Sequence, residues 1–238
     1  MPPTWRSWIA RLLTVVATGC SFESCEETQG GSGRPPLAIY MIQNRPMDAT
    51  LQAHWQCYAM RHGYNFHFIR CRGKWNWLER WKAQLRDARA RYRPNAASPQ
   101  WALVVDAADT IHLNRALALG NYATQHHSPV QLHWRENGEV TASACMLRLG
   151  DPRTDAFLVH WLRKDMTGVN GDNGALLEML LEISGVSHNC FRQKHRHATW
   201  PQYNRFVQCF ASAFWEGRSN SSMPMQRLRQ LGVRIYWP

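Results

Sequence analysis

The sequence of 238 residues predicts an α/β protein with a mostly parallel central sheet and helices on both faces. Residues 37–42 and 101–105 form continuous apolar runs of strand length, which is typical of strands buried on both faces. Between them the pattern runs strand, helix, strand, helix, strand, an order that places helices against a parallel sheet. The 45% hydrophobic content is enough for one substantial core.

The predicted elements follow one another without an internal repeat. In the first half they are strand 37–42, a helix from Asp48 to Gly63, strand 65–69, helix 77–92 and strand 101–105. In the second half they are a hairpin of strands 130–134 and 140–147, helices 153–164 and 173–183, and a last strand at 233–237. The hairpin signal is strong because Asn137-Gly138 favours a tight turn.

Residues 1–36 are predicted to lie outside the folded domain, which we place at 37–238. Arg6 and Arg11 precede the short apolar run 12–17, as in a secretory signal, and Cys20 would also fit a lipoprotein signal; a frayed tail is the alternative. Residues 23–36 are polar and Gly-rich and read as a linker. No apolar run reaches the roughly 18 residues of a spanning helix.

The seven cysteines favour disulfides over a metal cage, because no C-x-x-C pair occurs in the chain. One or two disulfides are expected, with at least one thiol left unpaired by the odd count. Asn220-Ser221-Ser222 is a glycosylation sequon, usable only in a secretory lumen. We therefore expect a protein of the secretory pathway, in the lumen of the ER or Golgi.

The net charge of +11 is concentrated in one stretch of the chain. Residues 61–93 hold ten basic and two acidic side chains, a net charge of +8. Such a stretch could attract nucleic acid, a phosphorylated ligand or an anionic membrane face. Because the basic residues recur on one predicted helix, a solvated face or a peripheral membrane contact is favoured over nucleic acid.

Two carboxylates lie just beyond the strand at 101–105. Asp106 and Asp109 would stand at the carboxyl edge of the sheet, where open α/β sheets bind ligands. Their oxygens suit Mg²⁺ or Mn²⁺, and the small side chains of Ala107 and Ala108 leave space for a ligand. The alternative is that each aspartate caps a turn or a helix.

Farther along the chain, Asp172 is predicted to cap the helix that begins at Asn173. A carboxylate and an amide side by side could also contact sugar hydroxyls or stabilise a developing charge. No Gly-x-Gly-x-x-Gly, Walker-type loop or Gly-x-Ser-x-Gly elbow occurs, which argues against dinucleotide, kinase and serine-hydrolase functions.

Four segments in this order resemble one superfamily: Cys57-Tyr58 with His62-Gly63-Tyr64, then Trp81-Lys82, then 104–114, then 171–176. From about Leu37 onward the chain is similar to the nucleotide-diphospho-sugar transferases with a GT-A fold. Within them it most resembles a eukaryotic group of unknown function related to the fungal-type galactosyl and mannosyl transferases. The resemblance implies a single GT-A-like domain.

The resemblance also implies a function: a metal-dependent glycosyltransferase that moves a hexose from a nucleotide-diphosphate sugar to a glycan or glycoconjugate hydroxyl. It makes Asp109 a ligand of Mn²⁺ or Mg²⁺, because Asn114 follows five residues later as in the family. It assigns Asp172 and Asn173 the catalytic role beside donor sugar or acceptor. The donor-binding residues it implies are Tyr40, Gln43, Asn44, Lys82 and Asp106.

Two departures from the family pattern keep other functions open. Ala107 stands where the family has its first metal-binding aspartate, so Asp106 would have to replace it from a strand position that alternation points to the other face. The chain also ends at Pro238, before the C-terminal His-Gly region of these enzymes, whose metal ligand His195 or His197 could replace. A catalytically inactive GT-A-like binding domain is the second hypothesis, and a basic nucleic-acid-binding domain is the third.

Overall fold

The computed structural model describes residues 37–43, 49–70, 101–106, 116–164, 171–185, 199–215 and 223–236. Their strands are β1 (Leu37–Gln43), β2 (Asn65–Arg70), β3 (Trp101–Asp106), β4 (Val130–Trp134), β5 (Val140–Arg148) and β6 (Val233–Tyr236). Their helices are α1 (Ala49–Arg61), α2 (Leu119–Gln125), α3 (Pro152–Leu162), α4 (Gly171–Ile183), α5 (Trp200–Trp215) and α6 (Met223–Gln230).

The strands form one six-stranded sheet in the order β2-β1-β3-β5-β4-β6. β1 pairs in parallel with β2 and β3, and β4 pairs in parallel with β6, whereas β5 runs antiparallel to both of its neighbours. Five strands therefore point one way and β5 alone opposes them. This confirms the predicted α/β domain with a mostly parallel sheet.

Helices cover both faces of the sheet, as predicted. Alternate residues of β1 and β3 divide between two buried clusters, so that Ala102 and Val104 lie on one face and Leu103 and Val105 on the other. The first cluster contains side chains of α3, α4, α5 and α6, and the second contains side chains of α1 and α2.

Every predicted strand is present, and the hairpin of β4 and β5 turns at the predicted place. Gly138 has φ +92°, a conformation that residues with a side chain rarely adopt, which explains the glycine of the Asn-Gly pair. α1, α3 and α4 are confirmed as helices. Helix 77–92 falls outside the described residues, as does most of the basic stretch 61–93.

Three helices were not predicted, and α5 carried a signal that could have found it. Thr199 and Gln202 form a capping box, in which each side chain accepts from the backbone N–H of the other, at 3.4 and 3.1 Å. Pro201 lies in the first turn, where a missing N–H costs nothing. Because the tail is rich in aromatic residues and histidines, this start signal of a helix was not recognised in the sequence.

α2 begins with help from two tyrosines of the earlier Cys-Tyr and His-Gly-Tyr segment. Ala118, at its N-cap, makes no side-chain capping bond. The Tyr58 hydroxyl accepts from the Leu119 N–H at 3.0 Å, and the Tyr64 hydroxyl accepts from the Gly120 N–H at 2.8 Å. These hydroxyls satisfy amides that a helix start leaves without partners, so this part of the motif has a structural role.

The cysteine prediction is confirmed where the structure describes it. Cys57 in α1 and Cys209 in α5 are disulfide-bonded, and Cys145 in β5 is a free, buried thiol. Burial raises the pKa of Cys145 to about 12, so the thiol stays protonated and unreactive. Among the described helices, none combines the length and apolarity needed to cross a membrane.

Candidate active site

Polar side chains gather at the carboxyl edge of the sheet. β3 ends there on Asp106, and because β5 runs against β3 and β4, the β4–β5 turn and the first residues of β5 lie at the same edge. The start of α4 joins them, since Asn173 bonds to Glu139 and Ala142. This is the position at which open α/β sheets bind ligands.

Asp106 faces α4. It follows Ala102 and Val104 in alternation, and those two residues lie in the cluster that contains the α4 side chains. The Asp106 charge also contributes to the raised pKa of Asp172 in the first turn of α4. The structure thus brings together two predicted site residues that stand 66 positions apart in the sequence. We call Asp106 and Asp172 the acidic pair.

Asp172 titrates near neutrality in this position. Burial is the largest cause of a pKa raised from 3.8 to about 7, and the negative charges of Asp106 and Glu139 raise it further. The backbone amides of Asn173 and Asp172 itself act in the opposite direction. A carboxyl group with this pKa is either partly protonated at neutral pH or stabilised as a carboxylate by a bound cation.

The predicted N-cap role of Asp172 is wrong, because α4 begins at Gly171 and places Asp172 inside the first turn. A carboxylate is still favourable there, since the exposed amides of a helix start carry partial positive charge. The Asp172 carbonyl oxygen also accepts from the Trp161 indole N–H at 3.4 Å, which ties this turn to α3.

Asn173, the neighbour of Asp172, points inward. Its side chain is only 5% exposed. Oδ1 accepts from the Ala142 N–H at 2.6 Å, and Nδ2 donates to Glu139 Oε1 at 2.9 Å. Both ends of the amide are therefore engaged within the protein, and the structure gives Asn173 a buried role that the sequence did not indicate. Its predicted contact with a sugar stays a prediction.

A bulge in β5 explains why Asn173 is needed at this place. Leu132 of β4 lies opposite Cys145, whereas the next residue, His133, lies opposite Thr141, so residues 142–144 have no partner on β4. Such a bulge frees backbone groups from the ladder, and bulges are common beside functional sites. The Asn173 side chain satisfies the freed Ala142 N–H.

Glu139 is a buried carboxylate that sequence reasoning missed. It is 2% exposed and accepts from three donors: Asn173, the Tyr203 hydroxyl, and Arg135 Nη1 at 3.1 Å. We call Arg135, Glu139, Asn173 and Tyr203 the Glu139 junction. It connects the β4–β5 turn with α4 and α5. The only local signal is an acidic residue directly after the Asn-Gly turn.

Arg135 also extends the junction toward two hydroxyl groups of β5. Its Nη2 donates to Ser143 Oγ at 3.0 Å, and Ser143 Oγ lies 2.7 Å from Thr141 Oγ1. Thr141 Oγ1 in turn accepts from the Ser143 N–H at 3.0 Å, inside the bulge. These hydroxyls line the same edge of the sheet as the acidic pair.

The predicted donor-binding residues are only partly described. Tyr40 is buried in β1, three residues before the strand ends. Its ring stacks on that of His67, with 4.7 Å between the ring centroids. Gln43 ends β1, and its neighbour Ile42 lies opposite Asp106, so both strands end at the same edge. Outside the described residues lie Asn44, Lys82, Asp109, Asn114, His195 and His197.

Within the described ranges, no group of three or more His, Cys, Asp or Glu side chains is placed to hold a metal ion. The acidic pair supplies two hard oxygen donors, and Glu139 is already occupied by its three donors. Two carboxylates of like charge, one with a raised pKa, are a fitting partial ligand set for Mg²⁺ or Mn²⁺.

Comparison with known proteins gives a distant structural likeness. No family model matches the sequence, and no curated protein is significantly similar to it. Among solved structures, the chain is similar to a glycosyltransferase involved in the glycosylation of the major capsid of PBCV-1. That match has 12% identity and a TM-score of 0.39, and it covers 51% of this chain and 66% of that one. At this distance the likeness assigns neither a family nor an activity.

Proposed function

We propose that the protein is a metal-dependent glycosyltransferase that moves a hexose from a nucleotide-diphosphate sugar to a hydroxyl group of a glycan or glycoconjugate. The observation that supports it most is the acidic pair. Asp106 and Asp172 lie at the carboxyl edge of a mostly parallel sheet, and after burial the charge of Asp106 is part of what raises the pKa of Asp172. Two carboxylates carried to one edge of a sheet are oxygen donors of the kind that a divalent cation takes.

The acidic pair would hold a divalent ion, Mn²⁺ or Mg²⁺, and Asp109 is proposed as a further ligand. When bound, such an ion supplies charge that stabilises the diphosphate leaving group. Asp106 contributes from the end of β3 and Asp172 from the first turn of α4, so each carboxylate is carried by a regular element. Ligands on regular elements are held more precisely than ligands on loops.

The other proposed roles belong to side chains around this edge. Tyr40 and Gln43 in β1, with Asn44 after it, would bind the nucleotide, and Lys82 would offset phosphate charge. The half-buried Ser143, whose hydroxyl bonds to Arg135 and to the buried Thr141, lies at the same edge and would contact a sugar or an acceptor. In this scheme Asp172 faces donor or acceptor, while Asn173 keeps it in place from within.

Metal binding gives the first test. We expect the purified protein to bind Mn²⁺ in isothermal titration calorimetry, and Asp106→Asn and Asp172→Asn each to weaken binding more than about tenfold. Asp155→Asn is the matched control, because Asp155 is also a partly exposed carboxylate in the first turn of a helix. Equal affinity in all four proteins would exclude a metal site at the acidic pair.

Donor turnover gives the second test. The protein is incubated with Mn²⁺ and a panel of UDP- and GDP-sugars, and nucleotide release is measured with and without glycan acceptors. We expect one donor to be hydrolysed or transferred, with the activity lost in Asp172→Asn. Mn²⁺ binding without turnover of any donor would instead favour the inactive GT-A-like binding domain.

That second candidate, an inactive binding domain, is favoured by Ala107, which offers no carboxylate next to Asp106. Ala107→Asp separates the two functions. If the native site is defective, this substitution raises Mn²⁺ affinity by a large factor and creates donor turnover. If the acidic pair already forms a working site with Asp109, an added carboxylate changes affinity little.

We also propose that the protein acts in the lumen of the ER or Golgi, where glycoconjugate acceptors are found. The disulfide bonds of Cys57 and Cys209 support this location, because disulfides form and persist in oxidising compartments. Fluorescence microscopy of the tagged full chain in a eukaryotic cell tests it. Colocalisation with lumenal markers is expected, and a diffuse cytosolic signal would contradict the proposal.

A further inference from the structure

Glu139 is the most deeply buried acidic side chain among the described residues, and it lies next to the acidic pair without belonging to it. We propose that Glu139 is a positioning residue: through Asn173 it fixes the first turn of α4 and so keeps Asp172 beside Asp106. Its consequence for ligand binding rests on the proposed function, but the positioning itself can be measured without any ligand.

The bonds of Glu139 make it a junction of three elements. Oε1 accepts from Asn173 Nδ2 in α4 and from the Tyr203 hydroxyl in α5, and Oε2 accepts from Arg135 Nη1 at the end of β4. Glu139 itself is fixed by the turn, since its N–H donates to Asn137 Oδ1 and its carbonyl oxygen accepts from the Arg135 N–H. A side chain held at both ends is a rigid reference point for α4.

Asn173 transmits this position to Asp172. Its amide spans from Glu139 to the Ala142 N–H, so it can satisfy both only in one orientation. Asp172 is the preceding residue of the same helical turn, and a rotation of that turn would move its carboxyl group away from β3. Outer-shell partners of this kind commonly determine how well a ligand set binds its metal.

The same bonds argue that Glu139 does not itself bind the cation. Its two oxygens already accept from three donors, and its negative charge is paired with the guanidinium of Arg135 at 3.1 Å. Asp172 instead has its pKa raised, by burial first and then by the charges of Asp106 and Glu139. The two kinds of carboxylate should therefore respond differently to loss of charge.

The test compares Glu139→Ala with Glu139→Gln in two measurements. The first is amide exchange by NMR at Ala142, whose N–H reports the Asn173 bond, relative to exchange at Cys145 farther along β5. The second is Mn²⁺ affinity. For Glu139→Ala we expect exchange at Ala142 to rise about tenfold relative to Cys145, and Mn²⁺ affinity to fall about 10- to 100-fold.

Glu139→Gln should rescue both measurements to within roughly threefold of the wild type, because its amide oxygen can still accept from Asn173. Glu136→Gln is the control, since it removes a carboxylate from the exposed side of the same turn. If Glu139→Gln loses as much Mn²⁺ affinity as Asp172→Asn, Glu139 is a ligand and the positioning role is overturned. Unchanged exchange at Ala142 in Glu139→Ala would overturn it as well.

If Glu139→Ala does not fold, Tyr203→Phe decides the question, because it removes only one hydroxyl from Glu139. Faster relative exchange at Ala142 is then expected, and an unchanged rate overturns the proposal. A wild-type protein that binds no Mn²⁺ would defeat the proposed function, whereas the exchange measurement would still decide whether Glu139 positions α4.

Discussion

The Glu139 junction and the acidic pair are two groups of polar side chains that meet in one helical turn, yet their electrostatics are opposite. In the junction, the buried carboxylate of Glu139 has three donors and a paired guanidinium. In the acidic pair, burial and the negative charges of Asp106 and Glu139 raise the pKa of Asp172 to about 7. Neighbouring residues, Asn173 and Asp172, belong to the two groups.

The difference indicates what each group does. A buried polar network with its bonds made stabilises one arrangement of the chain, and removing a member leaves others unsatisfied. A pair of like charges costs free energy in the folded state and is retained where a ligand compensates it. We therefore expect the junction to stabilise the fold, and we propose that the acidic pair binds a ligand. Substitutions in the two groups should then have opposite effects on stability.

The largest effect is expected from breaking the junction at Asn173. Asn173→Ala leaves the Ala142 N–H without its acceptor and removes one donor from Glu139, both in buried positions. We expect a loss of about 3 kcal/mol in the free energy of unfolding, measured with urea. Asn204→Ala makes the same change at an exposed position of α5 and should cost less than about 1 kcal/mol. Equal losses would show that burial does not distinguish the two amides.

A smaller effect of opposite sign is expected when the buried charge of Asp172 is removed, which relieves its burial and its repulsion by Asp106. A folded-state pKa of about 7 against an ordinary value of 3.8 means that the wild type loses stability as pH rises between these values. The difference between the two pKa values corresponds to at most about 4 kcal/mol of unfolding free energy. The partial exposure of Asp172 reduces this loss to about 2 kcal/mol.

The Asp172→Asn variant has no carboxylate at this position, so it does not lose this stability as pH rises. Without metal, the variant should match the wild type near pH 4 and exceed its stability by about 2 kcal/mol at pH 8, in urea unfolding at both pH values. Mn²⁺ at pH 8 should then stabilise the wild type more than the variant, since only the wild type keeps both carboxylates. A variant less stable than the wild type at pH 8 would contradict the assignment of the acidic pair.

The fold was predictable where its signals are local. The residues that identify β1, β3 or the Asn137-Gly138 turn are in each case close neighbours in the chain, and these elements were predicted with nearly correct bounds. α2 was not, because its first amides bond to hydroxyls 61 and 56 residues away, on Tyr58 and Tyr64. The residues of α2 themselves do not indicate that a helix begins there.

In the candidate site, the placement of two aspartates at one edge of the sheet was predictable, but their function stays a prediction. Asp106 and Asp172 stood out because each lies at the end of an element, and the topology brings those ends together. Glu139 did not, since its bonds reach 34 residues to Asn173 and 64 residues to Tyr203. The sequence predicted the same catalytic role for Asp172 and Asn173. In the structure, the Asn173 side chain instead points inward and bonds to the bulge of β5.

The smallest effect compares two tyrosine hydroxyls that differ only in having a partner. Tyr203→Phe removes a hydroxyl bonded to the buried Glu139, which keeps two other donors, and should cost about 1.5 kcal/mol of unfolding free energy. Tyr236→Phe removes a buried hydroxyl that has no hydrogen-bond partner in the structure as described. That change should be neutral or slightly stabilising, because it relieves an unsatisfied polar atom. Equal losses of stability for both variants in thermal and urea unfolding would mean that the cost comes from packing. The hydrogen bond of Tyr203 to Glu139 would then not stabilise the turn that carries Asp172.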